Sequence, residues 1–181
     1  LATNFSLISP INNTISNNST SIQYVNYIVT PTFFNGLCAG IPQLLGVTVI
    51  PTPTITNAVT ATVCSGGTIS IALTSNVNST YSWIAADNPN TTGESITTQT
   101  GSPLSNVLIN NTASVETVIY TVTPTSSPDG CPGTPQNITV TVNPSPSMTS
   151  PPSATICSGD TVSIALTSNN ASTYTWIAAD N

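Results

Sequence analysis

From Thr68 to Ser75 the chain alternates, with Ile69, Ile71 and Leu73 set between Thr68, Ser70, Ala72 and Thr74. A period of two marks a strand with one buried face, because successive side chains leave a strand on opposite sides. Ser79–Ala86, Pro103–Asn110, Glu116–Thr125 and Gln136–Pro144 also read as strands, rich in β-branched and aromatic residues. Turn clusters separate them: "CSGG", "NPNTTGE" and "SSPDGCPG". Proline falls in the loops and at strand ends, where its missing N–H does least harm. Nothing reads as a helix longer than one turn. Short strands at this spacing predict a β-sandwich of roughly seven strands.

The pattern then returns. "CSGGTISIALTSNVNSTYSWIAADN" begins at Cys64 and "CSGDTVSIALTSNNASTYTWIAADN" begins at Cys157, 93 positions later. The same offset lays "YIVTPTFFNGLCAG" from Tyr27 over "YTVTPTSSPDGCPG" from Tyr120, with no gap. About 93 residues is the size of one small domain and too long for a solenoid unit of about 20–45 residues. The expected organisation is therefore tandem: the second half of a repeat over residues 1–50, a complete β-sandwich over 51–143, and the first third of another repeat over 144–181. Pro/Ser/Thr-rich stretches at Ile50–Thr62 and Asn143–Thr155 read as stiff, extended linkers. Stiff beads on stiff linkers make a rod within a longer array.

Composition narrows the function. There is no Lys, Arg or His, only six acids, and a charged fraction of 3% beside a hydrophobic fraction of 38%. Disorder goes with the opposite balance. A chain without cations cannot neutralise phosphates, so nucleic acid and anionic membranes are excluded as partners. No apolar run approaches the roughly 18 residues needed to span a bilayer. Four cysteines, Cys38, Cys64, Cys131 and Cys157, keep the 93-residue offset in pairs, which points to an oxidising exterior and to disulfides. Three pairings stay open: Cys64 with Cys131 inside a bead, Cys64 with the loop cysteine of the next bead, or Cys38 with Cys64 and Cys131 with Cys157 through a linker that doubles back.

The motifs "T-[IV]-C-S-G-x-T-[IV]-S-I-A-L-T-S", "T-Y-[ST]-W", "Y-x-V-T-P-T", "G-C-P-G" and "V-T-V-N-P-S-P" resemble the PKD-like, immunoglobulin-like repeats of Bacteroidetes cell-surface proteins. Those proteins include giant gliding-motility adhesins exported by type IX secretion. The resemblance covers the whole chain. It implies an all-β fold of tandem immunoglobulin/PKD-like β-sandwiches, an extracellular location and a role as adhesin or stalk. The antibody-type inter-sheet cysteine pair is missing, with Leu73 standing where strand two would carry one.

Catalysis needs a base or an activated nucleophile. Without His or Lys, only carboxylates remain. Asp87 and Glu94 invite a glycosidase-like pairing, but the counterpart of Glu94 is Leu1, and only Asp87 returns, as Asp180 in a turn-forming "AADN". The expectation is no enzyme and no cofactor. Calcium is the one metal that the oxygen-rich loops suggest, without adjacent carboxylates to favour it. Trp83, Trp176, Tyr81, Tyr174 and Tyr120 fall in strand patterns and are expected in the core. Phe33, Phe34 and Leu37 replace Ser, Ser and Gly of the next repeat in a loop, and mark a candidate contact surface. Thr161, in "DTV", resembles the short motif that Bacteroidetes O-glycosylate.

The reading is an extracellular, non-catalytic segment of a long surface adhesin or filament, giving reach and multivalent contact. Its expected partners are neighbouring repeats, with other copies of the chain or a surface polysaccharide as candidates. Two alternatives remain: a subunit of a self-assembling filament or sheath, and a spacer or carbohydrate-binding module of a secreted hydrolase.

Overall fold

The computed structural model describes residues 10–33 and 38–179. Among these residues ten strands occur in chain order: β1 (Gln23–Val29), β2 (Gln43–Val49), β3 (Thr60–Cys64), β4 (Gly67–Ile71), β5 (Ser79–Ala85), β6 (Thr91–Thr92), β7 (Gln99–Thr100), β8 (Leu104–Asn110), β9 (Glu116–Ser126) and β10 (Gln136–Asn143). β3 to β10 build one complete sandwich from a five-stranded sheet, ordered β3-β10-β9-β5-β7, and a three-stranded sheet, β4-β8-β6. The described residues are all-β: one sandwich of immunoglobulin-like kind, with stretches that repeat its sequence on either side.

Alternation decides which face goes inside. On β9, Val118, Tyr120 and Val122 are fully buried, and on β10 Ile138, Val140 and Val142 are too. Leu104 and Leu108 from β8 and Ile69 from β4 close the core from the other sheet. Trp83 from β5 meets Tyr120 edge-on, with ring centroids 6.0 Å apart, a geometry favoured by the positive edge and negative face of aromatic rings. The Tyr120 hydroxyl donates to Asn106 Oδ1 at 2.9 Å, and Asn106 Nδ2 donates to Ser95 Oγ at 2.9 Å. This satisfies the one polar atom that Tyr120 carries into the core.

Two strand boundaries differ from the sequence expectation. β4 stops at Ile71, because the Leu73 amide donates to Ser102 Oγ rather than into a ladder. Thr60–Cys64, read as the end of a linker running into a turn, is a strand that lies parallel on β10 from Thr60↔Thr139 to Cys64↔Asn143. Its inward residues, Ala61 and Val63, pack on the core.

Repeat identity does not carry burial with it. β1 and β2 pair antiparallel from Gln23↔Val49 to Val29↔Gln43, matching β9 and β10, but stand alone as a two-stranded sheet. Beyond Asn143 the described chain forms one isolated bridge, Met148↔Ser168, and no strand. Trp176 was expected in the core and is instead 79% exposed, against 6% for Trp83. The reason is pairing: β5 is held by β9 through Trp83↔Val122 and Ala85↔Tyr120, whereas no strand lies beside Trp176 among the described residues.

Burial raises the pKa of Tyr120 well above its ordinary value of 10.0, and the nearby Glu94 charge adds to the rise. Below that ordinary value both folded and unfolded states keep the proton. Above it the unfolded phenol ionises while the folded one does not, so unfolding releases a proton and stability falls as pH rises. Melting curves should therefore drop through the alkaline range above about pH 10, and Tyr120→Phe should flatten that drop. An unchanged slope in Tyr120→Phe would assign the alkaline loss to other groups.

Candidate functional site at the poles of the bead

The register of β3 on β10 gives the sandwich two distinct ends. Chain enters at the upstream pole, where the β9–β10 loop lies, and leaves at the downstream pole, where Cys64 pairs with Asn143. At the upstream pole the loop is folded on itself: the Ser126 amide donates to the Cys131 carbonyl at 2.9 Å, Cys131 N to Ser126 Oγ at 3.0 Å, and Gly133 N to the Pro124 carbonyl at 2.7 Å. Gly133 has to be glycine, because a Cβ there would sit 2.1 Å from the carbonyl oxygen of Pro53 in the linker.

A polar clasp fixes that linker to its own bead. Thr54 N donates to Asn76 Oδ1 at 2.7 Å, Asn76 N returns to the Thr54 carbonyl at 3.1 Å, and Thr56 N donates to the Thr74 carbonyl at 2.9 Å. The Thr56 and Thr74 hydroxyls meet at 2.9 Å, and those of Ser75 and Tyr81 at 3.0 Å. Pro51 and Pro53 are buried beneath it. The clasp is then repeated 93 residues on. Ser147 N donates to Asn169 Oδ1 at 2.7 Å, Thr149 Oγ1 to Thr167 Oγ1 at 2.9 Å, and the Ser168 and Tyr174 hydroxyls meet at 3.0 Å. It forms there without a sandwich beneath it, so it is encoded locally. Tyr81 and Tyr174, expected in the core, are half-buried members of this clasp.

The downstream pole is organised by Asn110, which is 8% exposed. Its Nδ2 donates to the carbonyls of Ser114 at 2.7 Å and Val142 at 2.9 Å, and its Oδ1 accepts from Thr112. Asn17 repeats this in the first repeat, donating to Ser21 and Val49 carbonyls at 2.8 Å each. The poles face one another across the linkers. Ile22 and Ile50 of the first repeat form a cleft with Val77 and Pro128 of the complete bead, and Asn170 Nδ2 donates to the Ala113 carbonyl at the next junction.

None of the four cysteines is bonded to another. Cys131 sits at the upstream pole and Cys64 at the downstream one, separated by the length of β10, about 24 Å at strand rise. A disulfide needs Cα atoms within about 7 Å, so the intra-bead pairing is corrected. The linker does not double back at Ile50–Thr54, since Thr54 is clasped to its own bead, so the hairpin pairing of Cys38 with Cys64 has no support either. Cys38 lies in a loop built like that of Cys131, with Phe33 N donating to the Cys38 carbonyl at 2.8 Å and Gly40 N to the Pro31 carbonyl at 2.7 Å. Phe33 is 64% exposed in that loop; Phe34 and Leu37 lie outside the described residues. Thr161 is exposed.

Three of the carboxylates, Glu94, Glu116 and Asp160, are held by neighbouring amides and hydroxyls. Glu94 accepts from Thr91 Oγ1 at 2.7 Å, and Glu116 accepts from Asn90 Nδ2 at 3.1 Å and Thr112 Oγ1 at 3.2 Å. Asn88 touches both, tying the β5–β6 loop to the start of β9. Among the described residues three buried side-chain atoms stay unpartnered: Glu94 Oε2, Trp83 Nε1 and Asn170 Oδ1. The counterparts of Glu94 and Glu116 are Leu1 and Gln23, so the cluster belongs to one bead only. Asp160 Oδ2 accepts from Cys157 N at 3.2 Å and caps its turn. Among the described residues no three metal-ligating side chains converge. The sequence reading missed the clasp and the asparagine anchors, although Asn76/Asn169 and Asn110/Asn17 keep the repeat offset and could have been found by it.

A complete sandwich, clasped linkers and pole-to-pole contacts define a tandem β-sandwich repeat protein. The family model described as "PKD-like domain" matches residues 3–53 and 61–146, most of the sequence, and the chain belongs to that family. Domains of this family are typically extracellular and generally non-catalytic. No curated protein matches the chain.

Proposed function

We propose that the chain is a non-catalytic structural and adhesive segment of a long extracellular protein, a surface adhesin whose repeats give reach and multivalent contact. The observation that carries this is the clasp at Thr54–Asn76 and its copy at Ser147–Asn169. Each linker is bonded to the bead it precedes, which removes the freedom that a Pro/Thr tether would otherwise have. Reach then scales with copy number, and weak contacts on successive beads add by avidity. Gliding motility and type IX export belong to this reading through the resemblance of the repeats.

The junction also supports a pairing for the cysteines. Ser65, next to Cys64, accepts from Ser145 Oγ in the following linker at 3.3 Å. Gly133, two residues after Cys131, presses on Pro53, whose counterpart is Pro146. One linker is thus touched by the turn cysteine's neighbour of the bead before it, at Ser145, and the other by the cysteine loop of the bead after it, at Pro53, one position from the counterpart of Ser145. In this reading a disulfide joins Cys64 to the loop cysteine of the following repeat. Electron microscopy of the native protein should show single threads one bead wide that become flexible on reduction, and non-reduced peptide mapping should return no Cys64–Cys131 link. Multi-stranded fibres would defeat the stalk reading, and a Cys64–Cys131 peptide would defeat the junction bond.

A further inference from the structure

The outer face of the first repeat differs from that of the complete bead. On β9 and β10 the side chains that point away from the core include Thr117, Thr121 and Asn137; 93 positions earlier β1 and β2 carry Tyr24, Ile28 and Leu44 in their places. These three are 71%, 74% and 64% exposed. Completing a sandwich does not cover this face, since Thr117 and Asn137 are exposed and Thr121 is half-buried on a bead that has both sheets. Large apolar side chains clustered at solvent-facing positions mark a contact surface. The surface has a ridge and a hollow. Ile28 pairs with Leu44 across the strands, and two residues along Asn26 pairs with Gly46. Among the described residues a Cβ at Gly46 would meet only Asn26 Oδ1, at 3.4 Å, so the sheet is open above it. Tyr24 and Thr48, the next outward pair, form the far wall of the hollow. In the complete bead Thr139 stands where Gly46 does, and the hollow is filled.

We propose that this face pairs with the same face of a second copy, the Ile28–Leu44 ridge of each seated in the Gly46 hollow of the other. A two-fold axis does this where one surface carries both a ridge and its complement. Ridge and hollow lie two residues apart, about 7 Å at strand rise, so a small offset of the two sheets brings them together. Charge selects the occupant. Residues 1–50 hold no charged side chain, and all six acids lie from Asp87 onward. A partner that docks through charge finds nothing here to pair with. Two copies, each with a net charge of −6, meet with least repulsion at this face. The contact is two strands of seven residues wide, which places it with the small, transient interfaces. The pairing rests on the adhesive reading above and names its partner: a second thread, met at this bead and not along the whole rod, because the complete bead is polar at the same positions.

Sedimentation velocity on the native protein across a wide concentration range tests this. The expected result is reversible self-association, with a weight-average mass that rises with concentration. Two variants sharpen it. Ile28→Thr with Leu44→Asn gives the first repeat the residues that the complete bead carries at those positions, so the fold tolerates them, and it should weaken association by about tenfold or more. Gly46→Thr fills the hollow with the complete bead's residue and leaves every apolar side chain in place; it should weaken association as much. Association that survives the first variant overturns the proposal by placing the contact elsewhere. Association that survives only Gly46→Thr overturns it too, because the face would then be sticking without a fit. Electron microscopy separates this from the stalk reading. Threads that stay single at every concentration overturn the pairing and leave the stalk standing, whereas fibres paired at every bead defeat both.

Discussion

Trp83→Ala should destabilise the complete bead by about 3–5 kcal/mol, while Trp176→Ala should leave its unfolding transition in place. The two tryptophans occupy near-identical sentences, "STYSWIAADN" and "STYTWIAADN". Only their surroundings differ. Trp83 sits between β9 and β7, edge-on to Tyr120, and its removal opens a cavity that the stiff valines of β9 and β10 cannot refill. Trp176 has no strand beside it among the described residues. A small domain has only about 5–15 kcal/mol of stability in total, so the first change removes a large part of it. Trp83→Phe should cost less than the alanine change, because it also removes an indole N–H that is buried without a partner. Urea unfolding measures all three. Equal losses at Trp83 and Trp176 would mean that the tail is packed in the single chain after all.

That contrast marks how far the sequence could be read. β5, β8, β9 and β10 were legible because alternation and β-branched residues make a half-buried strand the cheapest conformation for those segments. β3 was not, because five residues of Thr, Ala, Val and Cys next to a Pro-rich stretch look like linker until β10 offers an edge. Trp176 was misplaced for a related reason: a pattern specifies which face wants burial, and burial itself needs the partner strand. The site was legible only in outline. The repeat offset located the cysteines and the linkers, but not that Thr54, Asn76, Ser75 and Tyr81 form a clasp. A Tyr with a hydroxyl partner at the surface and a Tyr in the core have the same alternation. The pole assignment that separates Cys64 from Cys131 depends on the parallel pairing of β3 with β10, a long-range fact that no local pattern encodes.

Gly133→Ala should uncouple the linker from the bead without unfolding the bead. The new methyl would stand 2.1 Å from the Pro53 carbonyl oxygen and 2.9 Å from Pro124 Cγ, and neither is the end of a flexible side chain. Either Pro53 leaves its buried seat or the loop lifts, and the amide of Gly133 is held to Pro124 at 2.7 Å, which keeps the loop down. The linker is the side that moves. Thr54 and Thr56 follow it, and their bonds to Asn76 and Thr74 break at about 1 kcal/mol each. Hydrogen exchange should then lose protection at the Thr54, Thr56 and Asn76 amides by tenfold or more, while Val118 and Val140, on β9 and β10, keep theirs. Gly130→Ala is the control. Gly130 has φ of 74° with open space around its Cβ, so alanine there strains the loop backbone by about 1–2 kcal/mol and leaves the linker docked. A rod whose stiffness resides in the clasp should bend more in solution scattering after Gly133→Ala and keep its wild-type profile after Gly130→Ala. If both variants scatter alike, stiffness resides elsewhere, and the contact between Gly133 and Pro53 is only local packing.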